Sequence, residues 1–327
     1  MAIKVQKPGL STTVQDLGRH GHYDVGIPLS GAMDRFALRV ANLVVGNDEG
    51  AAALECVFMG PELLFTADAV VAVTGADLPP KVDGVAQPTW TAFAIGAGQV
   101  LSFDYLRRGA RAYLAVAGGI DVPVVLGSRS TYALGALGGL EGRALKVGDE
   151  LAVGPPAGRA NPGRMVPDDL RRGAVPPATL RVVPGLYHHR ITPDAAAGFF
   201  GDTWTVAPEA DRIGYRFRGG RPLAFVERKQ PFGAGSDPSN IVDSCYPYGS
   251  IQVPGGTEPI VLHRDAVSGG GYFMLGTVIS ADMDHIGQLQ PHAKIRFVPV
   301  TMAEALEARR DRRSALDAVR CSLRAVA

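Results

Sequence analysis

Cysteine is scarce in this chain. Three residues, Cys56, Cys245 and Cys321, stand singly among 327. So small and scattered a set builds no disulfide framework, and without a CxxC pair there is no spacing for a structural zinc site. Net charge is missing too: 33 Lys plus Arg face 32 Asp plus Glu, so electrostatics give nucleic acid no support as a partner. Lysine is rare, with six residues at positions 4, 7, 81, 146, 229 and 294. None follows a glycine, which excludes the GxxxxGK[ST] phosphate loop. Nor does HExxH, GxSxG or an Asp-rich calcium loop occur. No apolar run approaches the roughly 18 residues of a membrane span, and MAIKVQKPGL has no apolar centre of a secretory leader. A cytoplasmic protein is expected.

What is present reads as a core-forming globular chain, with 46% hydrophobic and 20% charged residues. The length points to roughly two domains. Glycine (41) and proline (24) are spread throughout, as in proteins of many short strands joined by turns. Period-two apolar runs bounded by Gly, Pro or Asp predict strands at 69–73, 100–105, 112–117, 150–153, 180–183, 204–207, 250–253, 260–263, 272–280 and 295–300. Three helices are expected. The first runs from about Ala32 to Val45, with Ser30 as N-cap and Gly46-Asn47 at its end. The second starts near Pro193 behind Thr192, and the third follows the capping box Thr301-Met302-Ala303-Glu304. A Pro-, Gly- and Arg-rich stretch at 155–177 reads as a linker. The expected organisation is residues 1–154, linker 155–177, a barrel subdomain at 178–300 and a C-terminal helix at 301–327. The class is mainly β with a few helices (α+β), with two barrel-like or sandwich-like halves.

Polar residues crowd the approach to the first helix: Gln15, Asp16, Arg19, His20 and His22, then Ser30, Gly31 and Asp34. Such density in one loop suggests a site. The bland reading is a braced corner in which Asp16 pairs Arg19, Ser30 caps the helix and Asp34 favours its first turn. The paired histidines (His20 with His22, His188 with His189) lack a set of further ligands, so no metal is expected.

Motif by motif, the chain resembles the allophanate hydrolase subunit 2 family, also described as the biotin-dependent carboxyltransferase family or as the C subunit of 5-oxoprolinase. The stretches carrying the resemblance are PGLSTTVQDLGRHGHYDVGIPLSGAMDRFALRVANLVVGN (8–47), ALE (53–55), Gly60-Pro61, VTGAD (73–77), RAYLAVAGGIDVPVVLGSRST (111–131), GGLEGRALKVGDEL (138–151), DRIGYRFRG (211–219), YGSIQVPGGTEPIVLHRD (248–265) and Gln288 to Phe297. The order QDxGR, SGxMD, AN..VGN is specific. Where relatives carry D-x-Q-T-x-GGY, this chain has DAVSGGGY at 265–272, and His263 and Arg264 are bulkier and more polar than the pattern.

The resemblance implies cyclophilin-like β-barrel subdomains and half of a composite enzyme whose other half is a subunit 1-like protein. Within the family the pair opens 5-oxoproline with ATP and a third, lactam-hydrolase subunit. Alternatively, it moves carbon dioxide from carboxybiotin on a biotin carrier to urea. A third relative antagonises an inhibitor of a sensor kinase without catalysis. The chain has neither a Met-Lys-Met biotin attachment site nor an ATP signature, so ATP or carboxybiotin would come through partner subunits. Acting on an amide, lactam or urea-like substrate needs donors for a developing oxyanion, a proton acceptor and an anion clamp. Asp16, Arg19 and Gln15 are the candidate catalytic residues. Ser30, Gly31, Asp34, Asp77, Arg129, Ser130, Tyr248, Gln252 and Asp265 are the candidate substrate-binding residues. Each also has a plain structural reading: Asp77 closes a turn, Ser130 stabilises one, and Gln252 faces outward from a strand.

Overall fold

A computed structural model of the chain describes residues 2–156, 158, 160–172 and 179–324. The architecture is mainly strands, with four α-helices among the described residues: α1 (Arg35–Val45), α2 (Pro193–Gly201), α3 (Met283–Ile286) and α4 (Met302–Arg324). The chain divides into two compact units. One comprises Met1–His20, Leu29–Val175 and Arg313–Ala327; the other comprises Gly21–Pro28 and Pro176–Arg312. Of the expected linker, residues 157, 159 and 173–177 lie outside the described residues. Within its described part, Val166 is buried in the first unit and donates its N–H to the Trp90 carbonyl.

In the first unit the strands form two open sheets. The five-stranded sheet runs in the order Thr12–Gln15, Ala53–Val57, Arg108–Val116, Ala69–Asp77, Ala92–Ile95. Its period of two separates two cores. Leu54, Val71, Val73, Leu114 and Val116 join the core shared with Ile3, Leu63, Phe65 and Leu101 of the six-stranded sheet. The alternate residues Ala53, Ala72, Ala92 and Ala115 are small and meet α1 through Phe36, Ala37, Val40 and Val44. Small side chains on that face let the helix sit close, and the Thr74 hydroxyl reaches the Ala37 carbonyl at 2.7 Å.

Asp34, not Ser30, caps α1: its carboxylate accepts from the Ala37 N–H at 2.9 Å. Ser30 lies four residues upstream of that cap in left-handed backbone, at φ 50°, so its hydroxyl is not placed to cap the first turn. At the other end Gly46 closes the helix at φ 82°. The asparagines of AN..VGN are structural. Asn42 donates to the Ala51 carbonyl at 2.8 Å, and Asn47 bridges the Val116 carbonyl and the Gly118 N–H, both at 2.8 Å.

The second unit contains a closed barrel. Its strand order is Thr179–Pro184, Met274–Val278, Ser250–Gln252, Ile260–Leu262, Gly214–Arg218, Trp204–Val206, Lys294–Pro299, and the last pairs parallel with the first. Phe199 of α2 stacks on Phe297 at 4.9 Å and meets Trp204 at 5.2 Å. The expected single strand at 272–280 is two strands. Gly269–Tyr272 pairs with Asn240–Cys245 in a ribbon, while Met274–Val278 enters the barrel. The switch falls at buried Phe273, whose N–H goes to Ser239 while its carbonyl accepts from Val253. The capping box is present: Thr301 N–H donates to the Glu304 carboxylate at 2.7 Å, and Glu304 N–H to the Thr301 hydroxyl at 3.3 Å.

Cys56 sits wholly inside the first unit, and burial pushes its thiol up to about 12, with Thr12 pulling weakly the other way. Cys245 and Cys321 are exposed. An Ellman titration of the native protein at about pH 8, near the ordinary thiol pKa, is expected to label those two and to reach Cys56 only after unfolding.

Candidate active site

Thr12–Gln15 is an edge strand, and its open side is covered by the polar loop Ser128–Thr131. Thr131 donates to the Val14 carbonyl through both its N–H (2.9 Å) and its hydroxyl (3.0 Å). Such a covered edge is protected from pairing with another chain. Past Gln15 the backbone folds against the approach to α1, and two glycines meet there. A Cβ on Gly18 would stand 2.6 Å from the Leu29 and Ser30 carbonyl oxygens, and one on Gly31 would stand 2.6 Å from the Gly18 nitrogen. Both have positive φ. The turn therefore requires a glycine from each of QDLG (15–18) and SG (30–31).

Asp16 lies at the centre. Its Oδ1 accepts from the Gly18 N–H (2.7 Å), the Ser128 hydroxyl (2.6 Å) and the Ser130 hydroxyl (2.5 Å), and its Oδ2 from the Arg129 N–H (2.6 Å). Its own N–H donates to the Ser130 hydroxyl at 2.9 Å. Arg19, 1% exposed, donates from Nη2 to the Ser130 carbonyl at 2.5 Å. Gly138 must be glycine for that contact, since a Cβ there would meet the Ser130 oxygen and Arg19 Nη2. Gln15 is also buried: its amide donates to the Thr13 hydroxyl (3.0 Å) and the Thr131 carbonyl (3.1 Å), and its oxygen accepts from the Gly31 N–H (3.1 Å). Arg129 is partly exposed and reaches back to the Val122 carbonyl and Asp121.

The approach to α1 spends its donors on the protein itself. After Gly31 N–H, which binds Gln15, the Ala32 N–H goes to the Asp16 carbonyl at 2.9 Å, Met33 N–H to Glu55 Oε2 at 2.9 Å and Asp34 N–H to the Tyr113 hydroxyl at 2.8 Å. The N–H groups of residues 31–34 are therefore taken by Gln15, Asp16, Glu55 and Tyr113. Asp77 ends its strand and faces Arg108 at 3.9 Å.

A buried trio went unnoticed among the candidates although its residues lie in the matched stretches ALE and RAYLAV. Glu55 accepts from the Tyr113 hydroxyl at 2.7 Å and faces the Arg111 Nε at 3.7 Å, with all three buried. Burial, then Glu55, then Asp34, hold the Tyr113 phenol well above its ordinary pKa. It stays protonated and relays Asp34 N–H to the Glu55 carboxylate. An acidic residue inside an apolar strand run was the available signal.

The remaining candidates belong to the second unit. Gln252 is buried, not outward-facing, and Asp265 is held by Arg212 through both oxygens, at 2.8 and 3.2 Å. Tyr248 is half-buried beneath the Arg264 guanidinium at 4.2 Å. Among the described residues no group of three or more His, Cys, Asp and Glu is placed to hold a metal, and no helix is long and apolar enough to cross a membrane.

A mainly β chain with a closed barrel and a packed QDxGR–SGxMD corner falls in a known class. It belongs to the family described as carboxyltransferase domain, subdomain A and B, whose model matches residues 25–299. Within it, the chain is 38% identical to the C subunit of 5-oxoprolinase from Escherichia coli K12 over 309 residues, 94% of each chain. It is 34% identical to the urea amidolyase of Lachancea kluyveri over 97% of this chain and 18% of that protein. The crystal structure of the K. lactis urea amidolyase superposes with a TM-score of 0.89 at 33% identity, covering 97% of this chain and 20% of that one.

Proposed function

We propose that this chain is one subunit of a composite cytoplasmic enzyme that opens a cyclic amide, and that it fills the place of the C subunit in a 5-oxoprolinase. It would work with a subunit 1-like protein and a lactam-hydrolase subunit, and with ATP supplied through those partners. The observation that carries the reading is the 38% identity running over 94% of both this chain and its bacterial relative. The substrate chemistry fits the family: lactam opening places charge on the amide oxygen, where fixed donors stabilise it by a few kcal/mol each. In this reading Asp16, Gln15 and Arg19 act by holding. They fix the Ser128–Thr131 loop against the helix start, and Arg129, the partly exposed member of that loop, meets substrate or partner.

Co-expression with the two partner types is expected to give a complex that hydrolyses 5-oxoproline only with ATP. A stable complex without that turnover would sink the assignment. The second reading, the carboxyltransferase half of a biotin-dependent urea-type carboxylase, is favoured by the 0.89 TM-score to urea amidolyase. It would be singled out by a carboxylated product appearing only with a biotinylated carrier.

A further inference from the structure

Arg264 is a cation taken out of water without a counter-ion. It is 3% exposed, and among the described residues it has neither a hydrogen bond nor an ion pair; its Nε is buried with no acceptor. The neighbouring carboxylate is already spent, because Arg212 holds both oxygens of Asp265. What Arg264 has is aromatic. Its guanidinium lies 4.2 Å from the centre of the Tyr248 ring, and that ring stands edge-on to His263 at 5.3 Å. His263 is fixed through Nε2 to the Met283 carbonyl at 3.1 Å. Burial raises the pKa of the Tyr23 phenol, and the Arg264 charge opposes that rise. Tyr23 is tied to the segment after Asp265 by the Ser268 hydroxyl, which donates to its carbonyl at 3.4 Å.

A buried guanidinium without acceptors lowers stability, and one stacked ring recovers only part of the lost hydration. Stacking on the ring leaves the hydrogen-bonding capacity of the guanidinium unspent, and a guanidinium fork matches a carboxylate in a bidentate manner. Tyr248 also lines a cavity of about 340 Å³ together with Gly185, Ser280, Met302, Leu306 and Arg309, within the range of small-molecule sites.

We propose that Arg264 is the anion-binding residue of a small-molecule subsite in the second unit, taking the carboxylate of a cyclic amide acid beside Tyr248. The substrate class rests on the lactam-opening reading above. 5-Oxoproline carries such a carboxylate and urea does not, so this residue would separate the two substrates.

The test is calorimetric titration of the full chain with 5-oxoproline, with 2-pyrrolidinone (the same lactam without its carboxylate) and with urea. Wild type, Arg264→Lys and Arg264→Met are compared. Arg264→Met is expected to weaken 5-oxoproline binding by about 10- to 100-fold, with Arg264→Lys between, while 2-pyrrolidinone changes by less than about twofold. Without ligand, Arg264→Met is expected to melt no lower than wild type, because it removes an unpaired buried charge. Equal 5-oxoproline binding by wild type and Arg264→Met would overturn the subsite, as would a ligand-free melting temperature clearly below wild type. Turnover by the assembled complex separates the two readings. Arg264-dependent binding without ATP-dependent turnover removes the 5-oxoprolinase assignment and keeps the subsite. Turnover with an unchanged KM in Arg264→Met removes the subsite and keeps the assignment.

Discussion

Replacing Asp16 with alanine is expected to cost about 3–5 kcal/mol of stability, the range for breaking a buried charged network, and to abolish activity with it. Four donors converge on this carboxylate: the N–H groups of Gly18 and Arg129 and the hydroxyls of Ser128 and Ser130. Alanine strands them all, and each buried donor left without an acceptor costs about 1–3 kcal/mol before relaxation. The serines can turn to other acceptors; the two backbone groups cannot. Asp16→Asn is the finer probe. Its carbonyl oxygen can keep the Oδ1 partners, but its amide then points a donor at the Arg129 N–H, so an intermediate loss is expected. Urea unfolding measures both variants. An Asp16→Ala protein as stable as wild type yet inactive would show that the carboxylate takes part in the chemistry and does not merely hold the loop.

Glu55→Ala is expected to have an effect of the same size, again about 3–5 kcal/mol. It leaves the Met33 N–H, the Tyr113 hydroxyl and the Arg111 guanidinium in the interior without their carboxylate. Part of the penalty comes from Arg111, whose buried charge loses the carboxylate 3.7 Å away. Glu55→Leu combined with Arg111→Met should therefore recover much of the loss, because a buried ion pair can often be replaced by apolar packing. Thermal unfolding of the single and double variants provides the check. A double variant no better than Glu55→Ala would show that the trio contributes through geometry and not through charge. Tyr113 adds a sign that can be checked at high pH. Its folded pKa lies above the unfolded value, so its contribution is complete below about pH 10 and declines as pH rises toward the folded pKa. Tyr113→Phe should flatten that alkaline decline.

The two variants probe one construction from opposite sides. Asp16 fastens the Ser128–Thr131 loop to the edge strand, and Glu55 fastens the start of α1 to the middle of the sheet. Between them Gly18 and Gly31 pack backbone on backbone. Much of this was legible in the residues. Alternating valines and alanines gave away the strands, Thr192-Pro193 and the 301–304 capping box marked their helices, and polar density singled out the 15–34 corner. What went astray did so for local reasons. Ser30 was a sound N-cap by residue type, but its left-handed backbone hands the cap to Asp34. Residues 272–280 are rich in strand formers, and the change of partner at Phe273 divides them.

Composition, spacing and motif order by themselves determined the mainly β class and the family. These depend on local preference and on recurring residue patterns, which a linear chain displays in full. Tertiary structure alone decided what the polar residues do. Whether a carboxylate is a base or a fastener depends on who donates to it, and the donors to Asp16 come from more than 110 positions away as well as from its own turn. The same holds for Arg264, whose meaning lies in the acceptor it lacks. Charge can be counted along a sequence; whether it is paired is settled only when the chain closes around it.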